Sequence, residues 1–403
     1  MKAAFDVILL VEKAESILKR PEVSNTLSEI AKDHYAKKLF RKYGLEAWFG
    51  KYVLKERITS EKLVLTAYSL ELVGTKLIAA KKLPIASEIL SHAAKMFEYT
   101  STYLDLPESY RINLRRHAAV CYDVGGYPSN SIVMANKVLE ELDSIREPME
   151  TIPRFLFLVN LLICSFLGRK FARIETLYKA IITEKMNVQE VIKSIDEHEE
   201  QAKEIVRLMG FLEVSEAIYN FLRFLITGAP LHLEKSSEAI QRSIQIFLDA
   251  NDSENFALTT LISVIIEEIQ KRSVWKSVKD YFKEYPEYLK QLVNSDPPIV
   301  ELWASQIRAI ESGLLDKRRK NFVISMPTSA GKTLIAELAI IKSLIEDQSS
   351  TCVYVAPNKA LALQVEEDLR KRIATLGFKV SLVVGSYDYP EIEELKLKNC
   401  RVL

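Results

Sequence analysis

The chain has 403 residues, with 55 Lys plus Arg against 54 Asp plus Glu and 48% hydrophobic residues. That length holds two or more domains. The near-neutral balance excludes a chain that grips nucleic acid through its overall field, so any such contact must come from a local patch. The four cysteines (Cys121, Cys164, Cys352, Cys400) are far apart and form no C-x-x-C pair. This argues against a disulfide framework or a zinc site and points to a reducing, cytoplasmic setting. The five histidines make no H-E-x-x-H or similar spacing. Asp6 and Glu12 interrupt the apolar stretch around Ile8, Leu9 and Leu10, so no secretion signal is read there. The most apolar run, Phe155 to Leu167, is too short for a bilayer and reads as a buried helix. No membrane partner is expected.

From the start to about residue 290 the pattern is helical, and 12 glycines in the whole chain leave little material for tight strand turns. Ala217, Ile218, Phe221, Leu222 and Leu225 line one helix that stops at Gly228, with Pro230 beyond it. Ile240, Ile244, Phe247 and Leu248 fall at i, i+4, i+7 and i+8, the apolar stripe of another.

An internal echo lies between these features and the start. Ala118, Ala119 and Tyr122 precede a Gly125-Gly126 turn and a second amphipathic stretch through Met134, Val138 and Leu139. This looks like a tetratricopeptide-type helical hairpin. Sliding forward by 43 residues pairs Cys121 with Cys164, Gly125 with Gly168, Met134 with Leu177, Val138 with Ile181 and Leu139 with Ile182. Such a period suggests stacked helical hairpins around residues 84–228; an irregular helical bundle is the alternative.

Asn294-Ser295-Asp296-Pro297-Pro298 ends any helix before it and is the clearest boundary. It divides an all-helical domain, 1–292, from a C-terminal part, 293–403. Beyond it lies a helical stretch with Trp303 and Gln306, then the charge run Lys317-Arg318-Arg319-Lys320, which reads as a solvated turn or a nucleic-acid contact.

Phe322, Val323 and Ile324 read as a strand. Met326-Pro327-Thr328-Ser329-Ala330-Gly331-Lys332-Thr333 follows, and then a strong helix former. Strand, small-residue loop, Gly-Lys-Thr and helix form the context of a phosphate-binding P-loop. Gly331 lets the backbone approach phosphates, and the new helix aims free N–H groups and its positive dipole end at them. Lys332 supplies a point charge for the β- and γ-phosphates, and the Thr333 hydroxyl is placed for Mg²⁺. The first glycine of the general pattern is Met326 here. Thr351 to Ala356 reads as a second strand whose near-continuous apolar character suits a sheet covered on both faces. Pro357, Asn358 and Lys359 open a helix running through Gln364. A third strand, Lys379 to Val384, ends at Gly385 and Ser386, and Asn399 to Leu403 begins a fourth. These alternations predict a parallel α/β sheet.

The stretch Met326 to Glu337 resembles motif I of superfamily 2 DExD/H-box helicases, and Ala356 to Gln364 resembles their motif Ia. The resemblance covers about residues 300–403 and implies the first, incomplete RecA-like domain, with ATP and Mg²⁺ as cofactors. It implies that Gln306 reads the adenine edge, an amide being able to donate and accept together. It further implies that Pro327 through Thr333 hold the phosphates, and that Pro357, Asn358, Lys359, Gly385 and Ser386 face nucleic acid, DNA or RNA. Members with large helical leaders occur among bacterial anti-phage defence helicases. The resemblance also implies the front part of a longer helicase. No Asp-Glu-x-Asp/His segment follows Leu403 to complete the Mg²⁺ site, so these residues alone are expected to hydrolyse ATP hardly at all. The P-loop strand is expected to lack neighbours. The competing reading is a helical-repeat interaction protein, binding a protein partner, with an inert or regulatory nucleotide domain. A different P-loop ATPase is a third.

Overall fold

The computed structural model describes residues 12–13, 15–21, 23, 60–103, 106–193, 198–296, 298–316, 321–327, 331–347, 349–373, 376–383 and 400–403. Thr328, Ser329, Ala330, the Lys317–Lys320 charge run, Gly385 and Ser386 lie outside the described residues. The chain divides into two compact units, Met1–Leu222 with Pro230–Ile266, and Arg223–Ala229 with Glu267–Leu403.

Helices fill the described part of the first unit: α1 (Ser60–Ala79), α2 (Leu83–Tyr103), α3 (Glu108–Val124), α4 (Pro128–Ser144), α5 (Thr151–Leu167) and α6 (Phe171–Lys193). They are followed by α7 (His198–Thr227), α8 (Pro230–Asp249) and α9 (Ser253–Arg272), of which α7 and α9 end among residues of the second unit. Each of α1 to α5 packs on its successor, and α3 also packs on α5. Phe97, Leu114, Phe155, Phe166, Phe221 and Phe247 are fully buried. Among the described residues, no helix is long and apolar enough to cross a membrane.

The 43-residue echo has a structural counterpart. At the α3–α4 turn, Gly125 N–H donates to Cys121 O, Gly126 N–H to Asp123 O and Tyr127 N–H to Tyr122 O. At the α5–α6 turn, Gly168, Arg169 and Lys170 repeat the same three bonds to Cys164, Phe166 and Ser165. The middle residue takes positive φ in both, Gly126 at 86° and Arg169 at 58°. Lys81 between α1 and α2, and Asn251 between α8 and α9, adopt the same conformation at 59°. This is the Schellman way of ending a helix, general to αα-hairpins rather than a mark of tetratricopeptides. The echo weakens in the second helix of the pair: Leu139 is buried but Ile182 is exposed.

Buried polar groups tie α1, α3 and α9 together. His117 Nδ1 lies 2.8 Å from Glu71 Oε1 and its Nε2 lies 3.2 Å from Glu254 Oε1. Burial alone would depress the His117 pKa, but the charge of Glu71 and the bonds to Glu254 and Glu71 outweigh it and raise the pKa. The same hydrogen bond from His117 is the main cause holding Glu254 down to about 2.

In the second unit, α10 (Val274–Ser277) is followed by a 3₁₀ turn (Lys279–Phe282), α11 (Pro286–Val293), α12 (Ala304–Glu311), α13 (Lys332–Glu346) and α14 (Lys359–Ile373). Residues 267–292, grouped above with the helical part, therefore pack with the C-terminal residues. Three extended segments pair in parallel, with residues 401–403 between 352–354 and 379–381. Cys352 N–H donates to Arg401 O at 2.9 Å and Leu403 N–H donates to Cys352 O at 2.9 Å. On the other edge Arg401 N–H reaches Lys379 O and Ser381 N–H reaches Val402 O, both at 2.9 Å.

The expectation of a sheet covered on both faces needs correction. Burial alternates along Asn321 to Met326 and along Thr351 to Ala356, leaving Val323 at 98% exposure and Val353 and Val355 exposed as well. In an extended chain successive side chains point to opposite faces, and only one of those faces is covered among the described residues.

Candidate nucleotide site

The site is built where α13 begins. Gly331, its N-cap, has φ 73° and ψ 35°, the left-handed conformation. A side chain here would cost about 1–2 kcal/mol in backbone strain alone. It would also collide, because a Cβ at Gly331 would run into Gln306 Nε2. Glycine leaves the first N–H groups of α13 without a side-chain acceptor, so they and the dipole end stay available to an anion. Lys332 is exposed, and its ammonium donates to the Met326 carbonyl at 2.9 Å. That bond closes the loop across Pro327 and puts the cation beside the same helix end. Thr333, half-buried in the first turn, is the described hydroxyl nearest in sequence to Lys332.

These groups fit a polyphosphate: open N–H donors, a lysine bonded to a carbonyl, and a glycine cradle that a Cβ would fill. Thr333 is the described residue that would supply a hydroxyl to Mg²⁺. Among the described residues, no group of His, Cys, Asp or Glu could hold a metal by itself.

Gln306 does something that its sequence position did not reveal. It is 4% exposed, its Oε1 accepts from Trp303 N–H at 2.8 Å, and its Nε2 donates to Gly331 O at 3.1 Å. The first bond is the N3 half of a capping box that starts α12. The second pins the P-loop backbone. The structure thus brings Gln306, Gly331, Lys332 and Met326 together, with Gln306 as a brace on the loop.

Behind α13 lies a network that sequence reasoning missed. Glu337 is 1% exposed; its Oε1 accepts from Tyr288 Oη at 3.0 Å and its Oε2 from Arg372 Nη1 at 2.6 Å. Desolvation raises the Glu337 pKa, opposed by the charge and hydrogen bond of Arg372. The Tyr288 hydroxyl is pushed well up, first by burial and then by the charge of Glu337. Tyr288 comes from α11, Glu337 from α13 and Arg372 from α14, so one carboxylate ties the P-loop helix to both neighbours. The available signal was a glutamate among the buried residues Leu334, Leu338 and Ile341 of an apolar stripe.

The proposed nucleic-acid residues Pro357, Asn358 and Lys359 are all exposed. Asn358 caps α14, its Oδ1 accepting from Leu361 N–H at 2.9 Å. Lys359 is the first residue of that helix, where its side chain is open to solvent.

Residues 303–403 match the DEAD/DEAH box helicase family. Over 347 residues the chain is 25% identical to Hachiman protein HamB of Bacillus cereus, covering 85% of this chain and 28% of that protein. It is 41% identical over 97 residues to the ATP-dependent DNA helicase Hel308 of Methanocaldococcus jannaschii, covering 23% of this chain and 8% of that one. Against Hel308 of Pyrococcus abyssi it is 44% identical over 92 residues, covering 22% and 12%. The chain thus spans only a minor part of each of these relatives.

Proposed function

We propose, from the helicase match over residues 303–403, that the chain is the N-terminal part of an ATP-dependent nucleic-acid helicase or translocase. ATP occupies the loop Met326 to Thr333, with Lys332 on its phosphates and Thr333 on Mg²⁺. Nucleic acid runs past residues 356–364, with Lys359 and the N-terminal end of α14 on a backbone phosphate. The relatives named DNA helicases favour DNA. The similarity to HamB extends well beyond the helicase segment into the helical residues, which supports a shared helical leader that docks a strand or a protein partner. A role in anti-phage defence belongs to the same proposal, through the resemblance of architecture.

One observation carries the reading: the left-handed Gly331 with open N–H groups behind it and Lys332 closing on Met326. ATP with Mg²⁺ is expected to raise the Tm of the wild-type chain and not that of Lys332→Ala. Equal shifts in the two proteins, or none in either, would remove the nucleotide site. DNA binding that ignores a Lys359→Ala change would remove the assignment of that lysine alone.

A further inference from the structure

A cavity of about 650 Å³ opens within the helical unit, between α3, α5, α7 and the start of α9. It lies within the volume range of small-molecule sites. Its polar wall includes Arg116, Arg207, Asn113, Asn160, Asn255 and Tyr110.

Arg116 is the unusual member. It is 6% exposed, and among the described residues no carboxylate lies within ion-pair distance of it. Its Nη1 donates to Asn160 Oδ1 at 2.5 Å and its Nη2 to Asn113 Oδ1 at 2.6 Å. Both amides are fixed from their other ends: Asn160 Nδ2 donates to Leu156 O at 2.9 Å, and Asn113 Nδ2 donates to Glu254 Oε1 at 2.8 Å. The guanidinium is therefore aimed, not merely tolerated. It has five N–H donors, and two neutral acceptors use only two of them.

Asp252 and Glu254 also line the cavity, with oxygens bonded to groups other than Arg116. Glu254 Oε1 takes bonds from His117 and Asn113, and the two oxygens of Asp252 take Asn255 N–H and Nδ2. A buried cation with only amide acceptors is costly, and its net stabilisation is realised when an anion shares the site. Arg207 stands on the half-open side, where Glu204 approaches it at 3.8 Å.

We propose that this cavity binds a small molecule through an oxyanion, phosphate or carboxylate, gripped by Arg116 and Arg207, with the amides and Tyr110 holding its polar body. The site is separate from the P-loop, and the proposal stands whether or not ATP binds there.

The test uses the 403-residue chain carrying Lys332→Ala, so that the P-loop does not answer for the cavity. Inorganic phosphate and citrate are titrated at matched ionic strength, with binding followed by calorimetry and by Tm. The two probes separate a phosphate ligand from a carboxylate ligand. Both anions also stabilise proteins non-specifically, so the difference between variants is the readout. Arg116→Met, which removes the buried guanidinium, is expected to melt no lower than its parent without anion. It is expected to bind the preferred anion about tenfold more weakly or worse, as the loss of charged hydrogen bonds implies. Arg207→Met, at a more exposed position, is expected to weaken binding with Tm unchanged. Absence of binding in the parent, or identical titrations for parent and both variants, overturns the proposal. So does an Arg116→Met protein that melts well below its parent while Arg207→Met binds normally, because Arg116 would then be structural. A single-stranded oligonucleotide that binds in an Arg116-dependent way, with no response to either small anion, overturns it in favour of a strand contact.

Discussion

Replacing Gly331 by alanine puts two faults in one place, a β-carbon in left-handed backbone and a clash with Gln306 Nε2. The backbone strain alone is worth about 1–2 kcal/mol. Gln306 must also swing away, releasing the Gly331 carbonyl and the Trp303 N–H. Chemical denaturation of Gly331→Ala is expected to show a loss of at least that size, together with loss of the ATP-induced Tm rise. A variant as stable as wild type would mean that the loop does not hold this conformation in solution. The contiguous part of the site was legible in the sequence because Gly331, Lys332 and Thr333 act through the local geometry of one helix start. Gln306 was found from its position, but its brace on the loop was not. Its partner Gly331 lies 25 residues away, and a buried amide makes whichever bonds its surroundings leave unpaired.

At the scale of elements, the hairpin turns give a direct test of the repeated architecture. Lys81 is exposed and sits at φ 59° between α1 and α2, where Gly126 stands in the α3–α4 turn. Lys81→Gly relieves left-handed strain and is expected to raise stability by about 0.5–1 kcal/mol, after allowing for the added freedom of the unfolded chain. Urea denaturation decides it; a loss of stability would show that the lysine side chain supports the turn. The paired turns were readable because small residues and glycines mark them. The turns at Lys81 and Asn251 carry no glycine in the left-handed position, which hid the wider recurrence.

The His117 cluster joins three elements and gives stability a pH dependence of its own. Its raised pKa means that the folded state holds the His117 proton more tightly than the unfolded chain, whose histidines titrate near 6.5. This contribution is complete below that value and is lost as pH rises through the folded pKa. Glu254, held near 2, contributes above the ordinary glutamate range and loses that contribution as pH falls towards 2. Both contributions are present together from about pH 4.5 to 6.5. Thermal melts of wild type and His117→Gln should therefore differ most in that window and converge at higher pH. A constant difference from pH 5 to 9 would show that the ring contributes by packing alone.

Across the whole molecule, composition and periodicity identified a helical leader and an α/β tail, and the strand–helix alternation identified parallel pairing. They did not give the order of the strands. Residues 401–403 sit between 352–354 and 379–381, a placement set by backbone bonds with no side-chain signature. Glu337 was hidden for a related reason. Its partners Tyr288 and Arg372 are 49 and 35 residues away, so its place on the apolar stripe hinted at burial but nothing local named the partners. Removing this carboxylate tests the network. Glu337→Ala strands a guanidinium that is mostly shielded and a buried phenol, and breaking such a pair costs about 3–5 kcal/mol. The double change Glu337→Leu with Arg372→Met removes both charges and fills the space, and is expected to recover most of that loss. Adding Tyr288→Phe should recover the remainder, because the phenol then has no hydroxyl to satisfy. Denaturant titration of the set gives the coupling energies. A single-mutant loss below about 1 kcal/mol is the range of an exposed ion pair, and would show that α11, α13 and α14 do not close around Glu337 in solution.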